Sequence, residues 1–261
     1  MDFRGKTVLI TGASRGIGAE CALEFARNGA SAIVIGYHKS EDQALALEAT
    51  LRDAGVNAMA LRADVRSARQ VAAMFQKANA AFGPVHILIN NAGFGAFGHF
   101  WEVPLETELN MIDLNIRAVH ILTKLFLADF RARDNGYILN VASSAGFLAG
   151  PLMSTYYATK SYVLRFTEAL HEELRRTGSN VKISALCPGH VETGFDQRAN
   201  VKHSIGGLTS RKVAKIGLNG MFRGDVVILP GLLMKLTYIG EKFLTEPLML
   251  RAAYTAQSKK R

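Results

Sequence analysis

Cysteine is scarce: Cys21 and Cys187 are the whole supply, far apart in sequence and each in apolar surroundings. They read as buried small hydrophobic side chains of a reducing compartment rather than as a disulfide. Long apolar runs free of charge are also missing. No stretch of about 20 such residues occurs, so no transmembrane helix is expected. The start, Met1-Asp2-Phe3-Arg4-Gly5-Lys6, is polar and has no apolar signal-peptide core, which makes the cytoplasm the expected location. The seven histidines show no His-x-x-x-His spacing, and with single cysteines no metal site is expected. The Gly-x-Ser-x-Gly elbow and the Gly-Lys-Ser/Thr phosphate loop are both absent. Acidic residues run short at one end only. Residues 1–197 hold 19 basic and 19 acidic side chains, whereas 198–261 hold 12 and 3, so the whole net charge of +9 lies there. Two readings fit: a solvated helical face with a frayed Ser258-Lys259-Lys260-Arg261 end, or attraction to an anionic substrate, carrier or membrane surface. Nucleic acid is not an expected partner, because no recognition helix or aromatic-basic motif accompanies the charge.

What is present is alternation. Strand and helix signals succeed one another through 261 residues of 49% hydrophobic content, with no repeat or linker, enough for one large core. Lys6 to Thr11 is a short β-branched apolar run, a buried strand. It leads into Gly12-Ala13-Ser14-Arg15-Gly16-Ile17-Gly18 and a helix from Ala19 to Asn28. A glycine-rich turn between strand and helix is the setting in which a dinucleotide binds. Gly12 permits the turn, Gly16 removes bulk beside a diphosphate, and Gly18 lets helix and strand approach. The helix N-terminus offers free N–H groups to phosphate. At the end of the second strand, Ser31 to Gly36, the acidic residue that would bind ribose hydroxyls is missing. Lys39 and Arg15 stand ready for a 2′-phosphate instead, which favours NADP(H) over NAD(H).

Helix Ser40–Ala54, strand Asn57–Ala63, helix Arg66–Phe82, strand Val85–Ile89, helix Pro104–Arg133 and strand Tyr137–Ala142 follow. Asp64-Val65 closes the third strand and either meets an adenine edge or forms a turn. Asn90-Asn91-Ala92-Gly93 closes the fourth, either facing a ligand or only closing the turn. Phe94, Phe97, Phe100 and Trp101 form either a core lid or the apolar wall of a substrate pocket. Asn115 interrupts the long helix, where it can bond a water or a backbone carbonyl and distort the coil. Ser143 lies at the sheet's carboxyl edge. Ser154 to Arg176 is a helix on which Tyr156 and Lys160, four residues apart, share a face. A lysine ammonium beside a phenol favours phenolate, which would lower the Tyr156 pKa and suit it to proton transfer. The strand Val181–Cys187 ends in Pro188-Gly189-His190-Val191-Glu192-Thr193. Thr193 either bonds a nicotinamide carboxamide or caps the next helix. Residues 194–210 are a candidate mobile lid, Arg211–Phe222 a helix and Asp225–Leu229 a seventh strand. From Gly231 to about Gln257 the chain is basic, amphipathic and helical, broken near Glu246-Pro247.

The ordered set Thr11-Gly12-x-x-x-Gly16-x-Gly18, Asp64-Val65, Asn90-Asn91-Ala92-Gly93, Asn115, Ser143, Tyr156-x-x-x-Lys160 and Pro188-Gly189 resembles the short-chain dehydrogenase/reductase family from Lys6 to about Phe195. The register selects Ser143 over Ser144 and Tyr156 over Tyr157. The resemblance implies an α/β Rossmann fold, a doubly wound seven-stranded parallel sheet in residues 1–231, with 232–261 as a basic helical extension on or beside the same domain. It implies catalysis by Asn115, Ser143, Tyr156 and Lys160. Tyr156 protonates the carbonyl oxygen, Ser143 hydrogen-bonds it, Lys160 serves Tyr156 and the nicotinamide ribose, and Asn115 supports a relay water. Cofactor contacts are implied at Gly12, Ser14, Arg15, Gly16, Ile17 and Gly18. Further ones fall at Lys39, Asp64, Val65, Asn90, Ala92, Gly93, Tyr156, Lys160, Pro188, Gly189, Val191 and Thr193. The expected activity is NADP(H)-dependent interconversion of a carbonyl and a secondary alcohol, with an apolar ketone or aldehyde as substrate. Alternatives are reduction of a 3-oxoacyl thioester on a carrier or coenzyme A, and a non-catalytic NADP(H)-binding sensor or scaffold. A homo-oligomer, dimer or tetramer, and peripheral membrane contact through the basic C-terminal region are further expectations.

Overall fold

Three apolar runs become fully buried strands, and two more are buried in all but their first residue, because both faces of the sheet they form are covered by helices. The structure, a computed structural model, describes residues 1–195, 199, 207–240, 243 and 245–258, with the backbone alone for Leu233. Strands β1 (Thr7–Thr11), β2 (Ala32–Tyr37), β3 (Asn57–Arg62), β4 (Ile87–Asn90), β5 (Tyr137–Val141) and β6 (Lys182–Leu186) lie parallel. Short strands β7 (Val191–Glu192) and β8 (Leu208–Thr209) pair only with each other, and β9 (Val227–Ile228) completes the main sheet. The order β3-β2-β1-β4-β5-β6-β9 reverses direction between β1 and β4, which opens a crevice at the carboxyl ends of those two strands. This is the single-domain Rossmann arrangement expected.

Helices α1 (Gly16–Arg27), α2 (Glu41–Asp53), α3 (Ala68–Phe82), α4 (Leu105–Ile112), α5 (Ala118–Ala132), α6 (Ser154–Arg176) and α7 (Ser210–Arg223) flank the sheet, and α8 (Leu232–Gly240) and α9 (Glu246–Ser258) follow it. Two core layers result. One packs Phe3, Phe25, Ile33 and Met221 on one face, and the other packs Val34, Met74, Phe126 and Phe130 on the opposite face. Cys21 and Cys187 are buried and free, as their surroundings suggested.

The structure refines the sequence reading of the boundaries. The helix expected from Pro104 to Arg133 is divided by a π-helical turn, Asp113–Arg117, centred on Asn115. The C-terminal break precedes Glu246, and Pro247 sits in the first turn of α9, where its missing N–H costs nothing. Of the candidate lid 194–210, residues 196–198 and 200–206 lie outside the described residues, as does the Lys259–Arg261 end.

Candidate active site

The crevice is a cleft of ≈ 740 Å³ lined from the glycine turn at one end to Met153, Tyr156 and Phe195 at the other. Its first wall is the β1–α1 turn. Gly12 and Gly16 adopt φ of +61° and +60°, a left-handed conformation that side chains disfavour. A Cβ on Gly12 would lie 2.9 Å from the Ala92 Cα, so the turn is pressed against the strand beside it. Asn91 holds it there: its Nδ2 donates to the carbonyls of Thr11 (3.0 Å) and Gly12 (2.9 Å). The N-terminus of α1 receives no side-chain cap from Arg15, which leaves its first N–H groups for an anion in the cleft. Gly18 does not line the cleft. A Cβ there would meet the Gly12 carbonyl oxygen at 2.8 Å, so it serves close packing of helix and turn.

At the end of β2, Arg15, His38 and Lys39 line the cleft. Glu41, at the start of α2, is engaged by the Tyr37 hydroxyl, which donates to its Oε1 at 3.0 Å. Asp64 and Val65 also line it. Asp64 is paired with Arg66 at 2.7 Å, and the hydrogen bond from Arg66 holds its carboxyl below the usual range. Arg66 also donates to the Asn110 Oδ1, tying this loop to α4.

Asn90 requires a correction. It was expected to face the ligand, but it is buried in the core, where its Nδ2 donates to Asn140 Oδ1 (2.8 Å) and Thr123 Oγ1 (3.2 Å). Successive strand residues point to opposite faces, so Asn91, not Asn90, reaches the cleft. Ala92 and Gly93 line it as expected, together with Pro188, Gly189, Val191 and Thr193. The Thr193 hydroxyl accepts from the Phe195 N–H at 3.1 Å, the local cap that was the alternative reading.

Ser143, Tyr156 and Lys160 converge on the other end of the cleft. Ser143 follows β5 and is held in place as its Oγ accepts from the Ala145 N–H at 3.1 Å. It lies near enough to the Tyr156 phenol to favour the ionised form. The Lys160 Nζ donates to the Val141 carbonyl (2.8 Å) and lies 5.9 Å from the centre of the Tyr156 ring. Burial pushes the Tyr156 phenol up to about 12, Ser143 offsetting part of it, and pulls the Lys160 ammonium down to about 8. The expectation that Lys160 draws Tyr156 below its ordinary value is therefore reversed. Loss of water around a wholly enclosed phenol outweighs an ammonium that is itself poorly solvated.

Asn115 does not line the cleft. Its Oδ1 accepts from the Phe94 N–H (3.1 Å), and its Nδ2 donates to the Phe94 carbonyl (2.9 Å) and to Thr159 Oγ1 (3.0 Å). Thr159 in turn donates to the Tyr156 carbonyl at 2.7 Å. The π-turn thus clamps the strand-end segment to the helix that carries Tyr156 and Lys160.

The apolar wall was only half anticipated. Phe94 and Phe97 pack with Met111, Met153 and Tyr156, whereas Phe100 and Trp101 are exposed. Phe195 tilts against Tyr156 with ring centres 5.3 Å apart. Tyr157, set aside in favour of its neighbour, also lines the cleft, and its hydroxyl accepts from the Gln257 Nε2 of α9. Met234 of α8 fills the space above Gly189, where a Cβ would lie 2.7 Å from the Met234 sulfur. Neither distant contact leaves a local signal beyond the apolar pattern of α8.

A glycine cradle under an uncapped helix and a tyrosine-lysine-serine cluster in one cleft define a nicotinamide-dependent oxidoreductase. The profile of the short chain dehydrogenase family matches residues 6–204, and the chain belongs to that family. It is 36% identical over 213 residues to the "Ketoacyl reductase HetN" of Nostoc sp., spanning 80% of this chain and 73% of that protein. Among solved structures, a short chain dehydrogenase/reductase from Burkholderia phymatum in complex with NAD superposes with TM-score 0.86 and 29% identity, over 96% of this chain and 97% of that one. A short-chain dehydrogenase from Sphingobium yanoikuyae in complex with NADPH gives 0.81 and 32%, over 94% and 95%. The chain is an NAD(P)-dependent dehydrogenase/reductase.

Proposed function

We propose that the protein is an NADP(H)-dependent reductase of an apolar ketone or aldehyde, and the corresponding alcohol dehydrogenase in reverse, with Tyr156 as its proton donor. The observation that carries this reading is the convergence of Ser143, Tyr156 and Lys160 on one end of the cleft that begins at the glycine cradle. The residues fit a dinucleotide. Gly12 to Ile17 would receive its diphosphate, Arg15 and Lys39 would serve a 2′-phosphate, and Pro188, Gly189, Val191 and Thr193 would hold the nicotinamide end. Bound nicotinamide would supply or accept the hydride.

The chain's own groups manage the proton. A phenol held up at about 12 stays protonated at neutral pH, which suits an acid in the reducing direction. Ser143 and Tyr156 together would hold the substrate oxygen and stabilise the charge that develops on it. The Lys160 ammonium, at about 8, lies within reach of physiological pH and would stabilise the phenolate left behind and help to reprotonate it. Asn115 enters as a positioning residue through Phe94 and Thr159; the relay water implied by family resemblance would sit between its backbone and Lys160. Phe94, Met153 and Phe195 give the reacting end an apolar wall, which favours an apolar substrate.

A panel of ketones and aldehydes with NADPH, read by absorbance, tests the reading. Turnover is expected with apolar members, and none across the panel contradicts it. Cofactor preference is separate: titration is expected to give tighter binding of NADPH than of NADH, and the reverse order contradicts it. A second reading, reduction of 3-oxoacyl thioesters, is favoured by the ketoacyl reductase relative and by the basic C-terminal region. It requires kcat/KM for such thioesters to fall as salt rises, and no salt dependence removes its electrostatic part. The soluble form is proposed to be a cytoplasmic homo-oligomer, supported by the exposed Leu105, Leu109 and Ile112 of α4, with light scattering as the check.

A further inference from the structure

Helix α8 is mostly apolar, with Lys235 and Thr237 its polar side chains, and among the described residues one apolar stripe of it is left uncovered. Its inward face carries Met234, which lines the cleft, and Tyr238, whose ring packs on Phe147 with centres 4.9 Å apart. Its outward face carries Leu232, Leu236 and Ile239, at the i, i+4, i+7 spacing of one helical stripe, exposed by 72%, 59% and 55%. Phe243 beyond the helix is 83% exposed. A stripe of large apolar side chains exposed on one face of a helix calls for a covering surface, apolar or lipid. The only charge on α8 is Lys235. It lies within the segment 198–261, which carries 12 basic and 3 acidic residues. Two of the basic residues, Arg211 and Lys212, begin α7 just after β8, and β8 packs beside Gly231 at the start of α8.

We propose that the outward face of α8, together with the basic segment 198–261 it belongs to, seats on an anionic lipid bilayer. Apolar side chains within a positively charged surround are what an interfacial helix presents to anionic headgroups. A second copy of the chain fits less well, since pairing the same face would bring two basic segments together. Because Met234 lies on the opposite side of the same short helix, seating α8 brings the cleft to the membrane surface. The substrate class is then a lipophilic carbonyl compound drawn from the bilayer, a refinement that rests on the apolar-substrate reading above.

The test is flotation of the full chain with vesicles of phosphatidylcholine alone or mixed with phosphatidylglycerol, at about 0.1 M and about 1 M salt. Binding is expected to the anionic vesicles at the lower salt and to fall about ten-fold or more with neutral vesicles or at the higher salt. The variant Leu232→Glu/Leu236→Glu/Ile239→Glu should bind vesicles about ten-fold more weakly or worse, while NADPH titration reports an intact fold. No flotation of the wild type with anionic vesicles overturns the proposal, as does equal flotation of the variant. So does a variant whose only change is a smaller mass in light scattering, which would make the face a contact between copies. Turnover of a water-soluble ketone, measured in the same samples, keeps the two readings apart. Turnover without flotation sinks the membrane surface alone, and flotation without turnover of any ketone sinks the catalytic reading alone.

Discussion

Lys160 pulls in two directions at the scale of a single residue. Buried and lowered from 10.5 to about 8, it costs the folded protein up to about 3 kcal/mol at neutral pH. The unfolded chain binds a proton between those values that the folded chain has released, so this penalty is present below about 8 and disappears as pH rises toward 10.5. Tyr156, raised from 10 to about 12, acts oppositely and only above its unfolded value. Urea unfolding of wild type and Lys160→Met at about pH 8 and about pH 10 isolates the lysine. The wild type should gain stability relative to the variant across that interval, and a constant difference would contradict the burial. Gly150 makes a steric counterpart. A Cβ there would lie 2.3 Å from the Tyr157 ring, so Gly150→Ala should cost about 1–3 kcal/mol and lower Tm by several degrees in a thermal melt. An unchanged Tm would mean that the Tyr157 ring yields freely.

Elements act here through joints rather than through their regular spans. The π-turn at Asp113–Arg117 exists where Asn115 bonds both main-chain groups of Phe94, 21 residues earlier, and Thr159 of α6. Asn115→Leu would strand those partners, and urea unfolding should register a loss of about 2–4 kcal/mol. A change below about 0.5 kcal/mol would show that the turn forms without the clamp. This joint marks the limit of what the sequence discloses. Asn115 was legible as an anomaly within helical periodicity, but its partner was not, because nothing near Asn115 names Phe94. Asn90 failed for a different reason. Motif spacing locates the strand end, whereas register decides which of two adjacent asparagines faces the cleft. The Gln257–Tyr157 contact, spanning 100 residues, leaves no local trace at all.

For the molecule as a whole, the succession of strands and helices was readable because apolar runs and glycine stops alternate regularly, and the doubly wound parallel sheet followed from the family resemblance. The electrostatics were not. The spacing of Tyr156 and Lys160 suggests a lowered phenol, yet burial of both groups, set by Phe195, Met153 and the strand ends around them, raises it. An acid held near 12 predicts a reduction rate that does not fall with rising pH through the neutral range on account of Tyr156. Loss of rate near neutral pH, if seen in a pH profile, would have to come from Lys160.

The central claim is that Tyr156 delivers the proton. Tyr156→Phe keeps the ring, its packing on Phe195 and the cleft, and removes only the hydroxyl that shares the cleft with Ser143. Steady-state NADPH oxidation with a turned-over ketone should fall about 10²- to 10⁴-fold. NADPH affinity, titrated by fluorescence in the same preparation, should stay within about three-fold of wild type. A variant that retains near-full turnover would contradict the account.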